Sequence, residues 1–214
     1  YSGCGNADYR SFTRYNPRKL SLDNWRVENV NSLIYATHKA VDANNIAAGK
    51  KVQFGVSPFG IWRNIKSDPG GSQTSGLESF SAQHADSRRW VKSGWVDYIA
   101  PQVYWPFEHD AAAYAAVTDW WVQTTRGTNV SLYIGHIPGY YGGSGLWRDP
   151  REIPNQLRYN LKYPEIKGEI MFSYKSLFAP DNAVMRKGAD IIRQCWASPA
   201  APPGGASQTR KKAK

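Results

Sequence analysis

Four short apolar runs, at 52–56, 96–100, 130–134 and 168–172, are each followed by residues able to grip a polar ligand. Behind the first stand Ser57, Pro58, Phe59, Trp62, Arg63 and Asn64, and behind the second Gln102, Tyr104 and Trp105. The third leads into Gly135, His136, Tyr140 and Tyr141, and the fourth into Ser173, Tyr174 and Lys175. Flat rings, amides, hydroxyls and a few cations suit a saccharide. A ring covers the apolar face of a pyranose while polar neighbours hold its hydroxyls. Tyr104 and Trp105 offer rings for stacking, and Gln102 and Asn64 offer forked amides for vicinal hydroxyls. Arg63 and Lys175 carry charge for a carboxylate, Arg63 with two parallel N–H donors. Trp62 and Phe59 read first as packing, with a ligand role as the alternative, and Ser57 and Ser173 read as close-packed strand-end residues. A lone His136 is either a structural partner or a ligand contact.

Acid–base chemistry on a glycosidic bond needs two carboxyl groups, one on each side of it. No Asp or Glu directly follows any of the four runs. Asp68, Glu78, Glu108 and Asp110 are the nearest carboxylates in the loops. Glu108 lies three residues past Trp105 and is the candidate catalytic carboxylate, with a solvated loop position as the alternative. Asp97 sits at the amino end of its run, where a structural role is expected. His38, His84, His109 and His136 lack HxxxH or HxH spacing, and Cys4 and Cys195 make no metal site, so neither metal nor cofactor is expected. There is no GxSxG elbow and no phosphate-binding Gly-rich loop. The GGSG string at 142–145 reads as a flexible loop, a possible piece of lid.

The elements that must hold these residues alternate. A helix at 23–43 has Val27, Val30, Ile34, Thr37 and Val41 on one face, and Asn44, Asn45 and Gly49 end it. Helical segments then follow the runs at 79–93, 110–125, 150–162 and 181–195. Asp149, Pro150 and Glu152 spell a capping box for the third of these. Residues 1–20 read as loop. Strands alternating with helices at this spacing predict an α/β protein with parallel strands and crossover helices. Four such strands make either an open sheet or half of a (β/α)8 barrel.

Net charge is +10 and aromatic residues make up 14% of the chain. Part of the charge is local, in Arg210, Lys211, Lys212 and Lys214. The stretch 197–214, rich in Pro, Ala, Gly and Lys, has too little apolar surface to order and is read as a disordered basic tail. Basic residues elsewhere are scattered without any nucleic-acid motif, so no nucleic acid is expected as partner. No apolar run is long enough to cross a bilayer. No signal peptide is visible, in a chain that starts at Tyr1.

Two longer strings, VQFGVSPFGIWRN at 52–64 and WVKSGWVDYIAPQVYW at 90–105, resemble the family-10-like glycosyl hydrolases, a bacterial group of (β/α)8 barrels. Trp25-Arg26, Asn29-Val30-Asn31, Trp120-Trp121, LYIG at 132–135 and Phe172-Ser173 extend the resemblance over about residues 1–195. It implies a partial barrel in residues 1–196, with the four strands as its fifth to eighth. It places the catalytic Asp pair in an Asp-Asp-Tyr motif upstream of Tyr1. Barrel closure then needs a missing N-terminal half-barrel of about 150–200 residues, or a partner chain, and weak stability is expected without it. The implied activity is O-glycosidic hydrolysis of a bacterial glycan, such as peptidoglycan strands stripped of peptide, whose lactyl carboxylates Arg63, Arg148 and Lys175 would suit. Such a substrate implies an extracytoplasmic location, in the periplasm or cell envelope. The alternative is a non-catalytic carbohydrate- or polyanion-binding fragment.

Overall fold

The computed structural model describes residues 7–200. In chain order the elements are α1 (Tyr9–Arg14), α2 (Leu22–Ala48), β1 (Gly55–Val56), α3 (Ser79–Ala82), α4 (Ser87–Lys92) and β2 (Tyr98–Ile99). Then come α5 (Tyr114–Thr125), β3 (Ser131–His136), α6 (Glu152–Asn160), β4 (Ile166–Met171), α7 (Tyr174–Phe178) and α8 (Ala183–Cys195). Two 3₁₀ turns, Pro138–Tyr140 and Gly145–Arg148, interrupt the connection from β3 to α6.

All four strands are parallel and lie in the order β1-β2-β3-β4. A doubly wound open sheet reverses its strand order at a switch point; this one does not. Sequential order with a helical connection after each strand is consistent with part of a (β/α)8 barrel. Along the strands, Ile99, Leu132 and Ile134 face the helices and join Trp90, Val91, Val117 and Trp121 in the main core. Strand alternation turns Tyr98 and Tyr133 to the opposite face, where their rings meet edge to face at 5.7 Å. A second core links Tyr141, Trp147, Ile153, Leu157, Met185 and Ile192.

The tryptophans do more than fill volume. Each ring buries a large apolar area, and each indole N–H needs an acceptor. Trp121 Nε1 donates to the Gly60 carbonyl at 2.7 Å and Trp120 Nε1 to that of Gly70 at 2.8 Å. Trp90 Nε1 donates to Asn31 Oδ1 at 2.7 Å. Helices α4 and α5 are thus pinned to the loop after β1 and to α2.

Several expectations are corrected. The first twenty residues are not all loop: Tyr9–Arg14 is helical, held by Phe12 against Trp25 and by Asp8 paired with Arg26. Helix α2 runs through Asn44 and Asn45 and ends at Gly49, whose φ of 62° suits glycine. Asn45 instead uses its side-chain amide to bind both backbone groups of Val52. The helix read over 79–93 is broken in two, because His84 takes a positive φ and Asp86 caps a fresh start. The capping box at 149–152 does not form. Asp149 Oδ1 accepts the Arg151 N–H at 2.9 Å, and Glu152 turns its carboxylate inward instead. Asp97 has the expected structural role, accepting the Phe54 N–H at 2.7 Å. Residues 197–200 are irregular and exposed; the rest of the basic tail, and Cys4, lie outside the described residues. Cys195 is exposed.

Candidate functional site

Beyond the regular strands, pairing continues at their carboxyl ends. Phe59 bridges to Gln102, and Gln102 to Gly135. Gln102 N–H donates to Pro58 O at 2.9 Å, and Gly135 N–H to Pro101 O at 2.9 Å. This stitching sets Phe59 and Gln102 side by side at the mouth of the sheet. Gly60, next along, is where Trp105 lies down. A Cβ there would sit 2.6 Å from the Gln102 carbonyl oxygen and 2.7 Å from the Trp105 ring.

A cleft of about 640 Å³ opens over these residues. Its rings are Phe59, Tyr104, Trp105, Tyr140 and Trp147; its polar side chains are Gln102, Glu108, His109, Asp110 and Ser144. Trp105 meets Phe59 edge-on at 5.3 Å, and Tyr104 stacks with Phe172 at 6.4 Å. Burial, with Tyr140 nearby, pushes the Tyr104 phenol above its usual range, so its hydroxyl stays a neutral donor at physiological pH. His109 Nδ1 accepts the Ala112 N–H at 3.2 Å. Ser144, Gly145 and Leu146, from the glycine-rich loop and its 3₁₀ turn, close one side. The chemistry available is stacking, hydrogen bonding and two carboxylates in one cavity.

Of the residues singled out in the sequence, Phe59, Gln102, Tyr104, Trp105, Glu108, Asp110 and Tyr140 come together here. The others stand elsewhere. Ser57 Oγ donates to the Ala100 carbonyl at 2.7 Å. Trp62 is buried, stacked on Trp120 at 5.8 Å, with Nε1 donating to Asp86. Arg63 pairs with Asp68 at 3.0 Å and lies over the Phe80 ring. Asn64 is absorbed into the turn of its own loop: its amide donates to Glu78 Oε1 and the Gly76 carbonyl, and its Oδ1 accepts from Thr74. Ser173 precedes α7, and Lys175 is exposed, 3.6 Å from Asp181. His136 is fully buried beneath the cleft.

Phe172 and Trp147 were missed as members of the site. Phe172 is 62% exposed beside Tyr104, and its place within an apolar run disguised it. Trp147 follows the glycine-rich string closely, and that was the one signal available for it.

Under the cleft runs a buried polar chain. His136 Nε2 lies 2.7 Å from Glu169 Oε2 and its Nδ1 lies 3.0 Å from Gln156 Oε1. Gln156 Nε2 donates to Glu152 Oε1 at 3.0 Å and to the Trp105 carbonyl at 3.1 Å. The Phe107 N–H donates to Glu152 at 3.0 Å. Burial raises the Glu152 carboxyl above its usual range, and Asp149 and Glu108 add to this, against the bonds from Gln156 and Phe107.

A second hollow of about 950 Å³ lies between α2, the residues preceding it and the segment after α3. Its charges satisfy one another: Arg26 holds Asp8 at 2.7 Å and reaches Asp23.

The fold and site together define a parallel α/β protein with an aromatic, carboxylate-bearing cleft at the carboxyl ends of its strands, where barrel proteins of this class place their chemistry. The chain belongs to the glycosyl hydrolase-like 10 family, whose model matches residues 1–140. The resemblance carried by SPFGIWRN and DYIAPQVYW is thereby established. The chain is similar to glycosyl hydrolase YngK of Bacillus subtilis (strain 168), 38% identical over 175 residues, covering 79% of this chain and 33% of that protein. It is also similar to glycosyl hydrolase DigH of Escherichia coli (strain K12), 36% identical over 199 residues, covering 89% of this chain and 44% of that protein. The DigH of Shigella flexneri matches at the same identity. The chain therefore spans less than half the length of these relatives.

Proposed function

We propose that this chain forms the fifth to eighth strand–helix units of a glycoside hydrolase barrel. The complete protein would hydrolyse O-glycosidic bonds in a bacterial glycan, peptidoglycan strands among them, outside the cytoplasm. The observation that carries this reading is the cleft, where aromatic rings and five polar side chains share one cavity at the strand ends. Rings of that kind bind pyranose faces, and amides and carboxylates bind their hydroxyls. Glu108 and Asp110 are the carboxylates this cleft offers for proton transfer or for orienting sugar hydroxyls, beside the Asp pair that the family resemblance places upstream of Tyr1.

The charged side chains lining the cleft include two carboxylates and, among the described residues, no Lys or Arg. Arg63 and Lys175 direct their charge to Asp68 and Asp181. The cleft therefore favours neutral sugar faces and hydroxyls over lactyl carboxylates. The test is calorimetric titration with chitotetraose and with peptide-free peptidoglycan strands. Trp105→Ala should weaken both alike, by about tenfold for the loss of one stacked ring. Unchanged binding in that variant would sink the reading. A non-catalytic binding role is favoured by one observation, the lack of Asp or Glu directly at the four strand ends. It predicts the same binding, with no release of shorter glycans by the full-length protein.

A further inference from the structure

We propose that the polar stripe on the buried face of α6 is a positioning device for the saccharide cleft, holding the loop that carries Trp105 and Glu108 from below; this rests on reading that cleft as a saccharide site. Glu152, Gln156 and Asn160 are spaced four apart and so share one helix face. That face is buried: the three residues are 3%, 1% and 1% exposed. A helix face turned to a core is ordinarily apolar, and burying a polar group costs free energy unless it is fully bonded. A stability role alone would be served as well by aliphatic residues.

The bonds leaving this face are specific. Glu152 takes the Phe107 N–H at 3.0 Å, and Gln156 donates to the Trp105 carbonyl at 3.1 Å. Both targets are backbone groups of the segment between β2 and α5, which past the Gln102 bridges has no strand or helix of its own. Two acceptors on Gln156 Nε2, the Trp105 carbonyl and Glu152 Oε1, fix the orientation of its amide. Its Oε1 is thereby turned to His136 Nδ1 at 3.0 Å. His136, on β3, is anchored by Glu169 on β4, and Asn160 Nδ2 donates to the same carboxylate oxygen at 3.0 Å. The cleft loop is thus referenced to two strands and a helix. A binding surface gains when its contacts are held in place before the ligand arrives.

Three variants of the full 214-residue chain test this: Glu152→Leu, Glu152→Gln and Gln156→Met. Gln at 152 keeps an acceptor for Phe107 and Gln156; Leu does not. Met at 156 keeps the volume and serves if Glu152→Leu fails to fold. Hydrogen exchange of residues 105–110, chitotetraose affinity and thermal melting are measured together. Glu152→Leu and Gln156→Met should speed exchange in 105–110 and weaken affinity by about tenfold, the cost of one buried polar group left unsatisfied. Glu152→Gln should come within about twofold of the parent chain, since its acceptor is retained. Loss that tracks melting temperature equally in all three variants, or unchanged exchange in 105–110, overturns the proposal. Should the parent chain bind no saccharide, the reading of the cleft fails by itself. Exchange in 105–110 then decides the positioning role: selective loosening rescued by Gln sustains it, and no loosening ends it.

Discussion

Gly60 lets the Trp105 ring lie close against the backbone. Its carbonyl receives the Trp121 indole at 2.7 Å, and the space over its Cα belongs to Trp105. Gly60→Ala would force a methyl group to within 2.7 Å of that ring and 2.6 Å of a backbone oxygen. The expected cost is about 1–3 kcal/mol of stability, as for other overpacked sites, and Trp105 is driven out of place. Chemical denaturation should register the first effect and chitotetraose titration the second; a variant that matches the parent chain in both would refute the account. Sequence named Trp105 for what an indole can do at a strand end. It did not connect Trp105 with a glycine forty-five positions earlier, because strand register makes that contact.

Among elements, the loop from Arg63 to Glu78 shows how a promising motif becomes scaffold. Asn64 reads in sequence as a free amide, yet its N–H and side chain both donate to Glu78 Oε1 at 2.9 Å. Burial works against the charged form of Glu78, but bonds from Ser67, Asn64 and Ser81 outweigh it and hold its carboxyl below the usual range. A carboxyl depressed in the folded state adds stability above its unfolded value of about 4.3, and that stability is lost as pH falls through the folded value. The Asn64 amide resonance should therefore shift with a midpoint below the ordinary glutamate value of about 4.3. A midpoint at or above the ordinary glutamate value would contradict this, and Glu78→Gln should abolish the shift. The residues after the second run kept their promise of sharing a cavity for a related reason. Tyr104 and Trp105 follow the Gln102 bridges directly, whereas Asn64 enters a long loop with its own partners to satisfy.

At the scale of the whole molecule, β1 and β4 are the outer strands of the described sheet, and the tyrosines on its face opposite the main core are only half-buried. Tyr98 and Tyr133 lie across that face, where glycines at 55 and 168 leave room for their rings. Ile170 and Phe172 on the β4 side are 44% and 62% exposed. Unpaired parallel strands beside exposed apolar side chains invite association. The 214-residue chain alone should melt at a temperature that rises with its concentration, as linked association requires. Sedimentation should find species larger than monomer. The same segment within a longer protein of this family should lose both behaviours. A monomer whose melt is independent of concentration would count against an incomplete barrel.

Alternation of apolar runs with amphipathic segments was enough to fix a parallel α/β fold and the approximate place of each strand. Two unusual strings, SPFGIWRN and DYIAPQVYW, were enough to fix the family. Both signals are local or nearly so, and a chain carries them without folding. The grouping of side chains into a cleft was decided by tertiary structure, through register across β1, β2 and β3 and through the path of each loop. So was the conversion of His136, Glu152 and Gln156 from an isolated histidine and a misread helix cap into one buried chain. A hydrogen bond between residues twenty to fifty positions apart leaves no periodicity to read. It exists only once the helices and strands have set the distances.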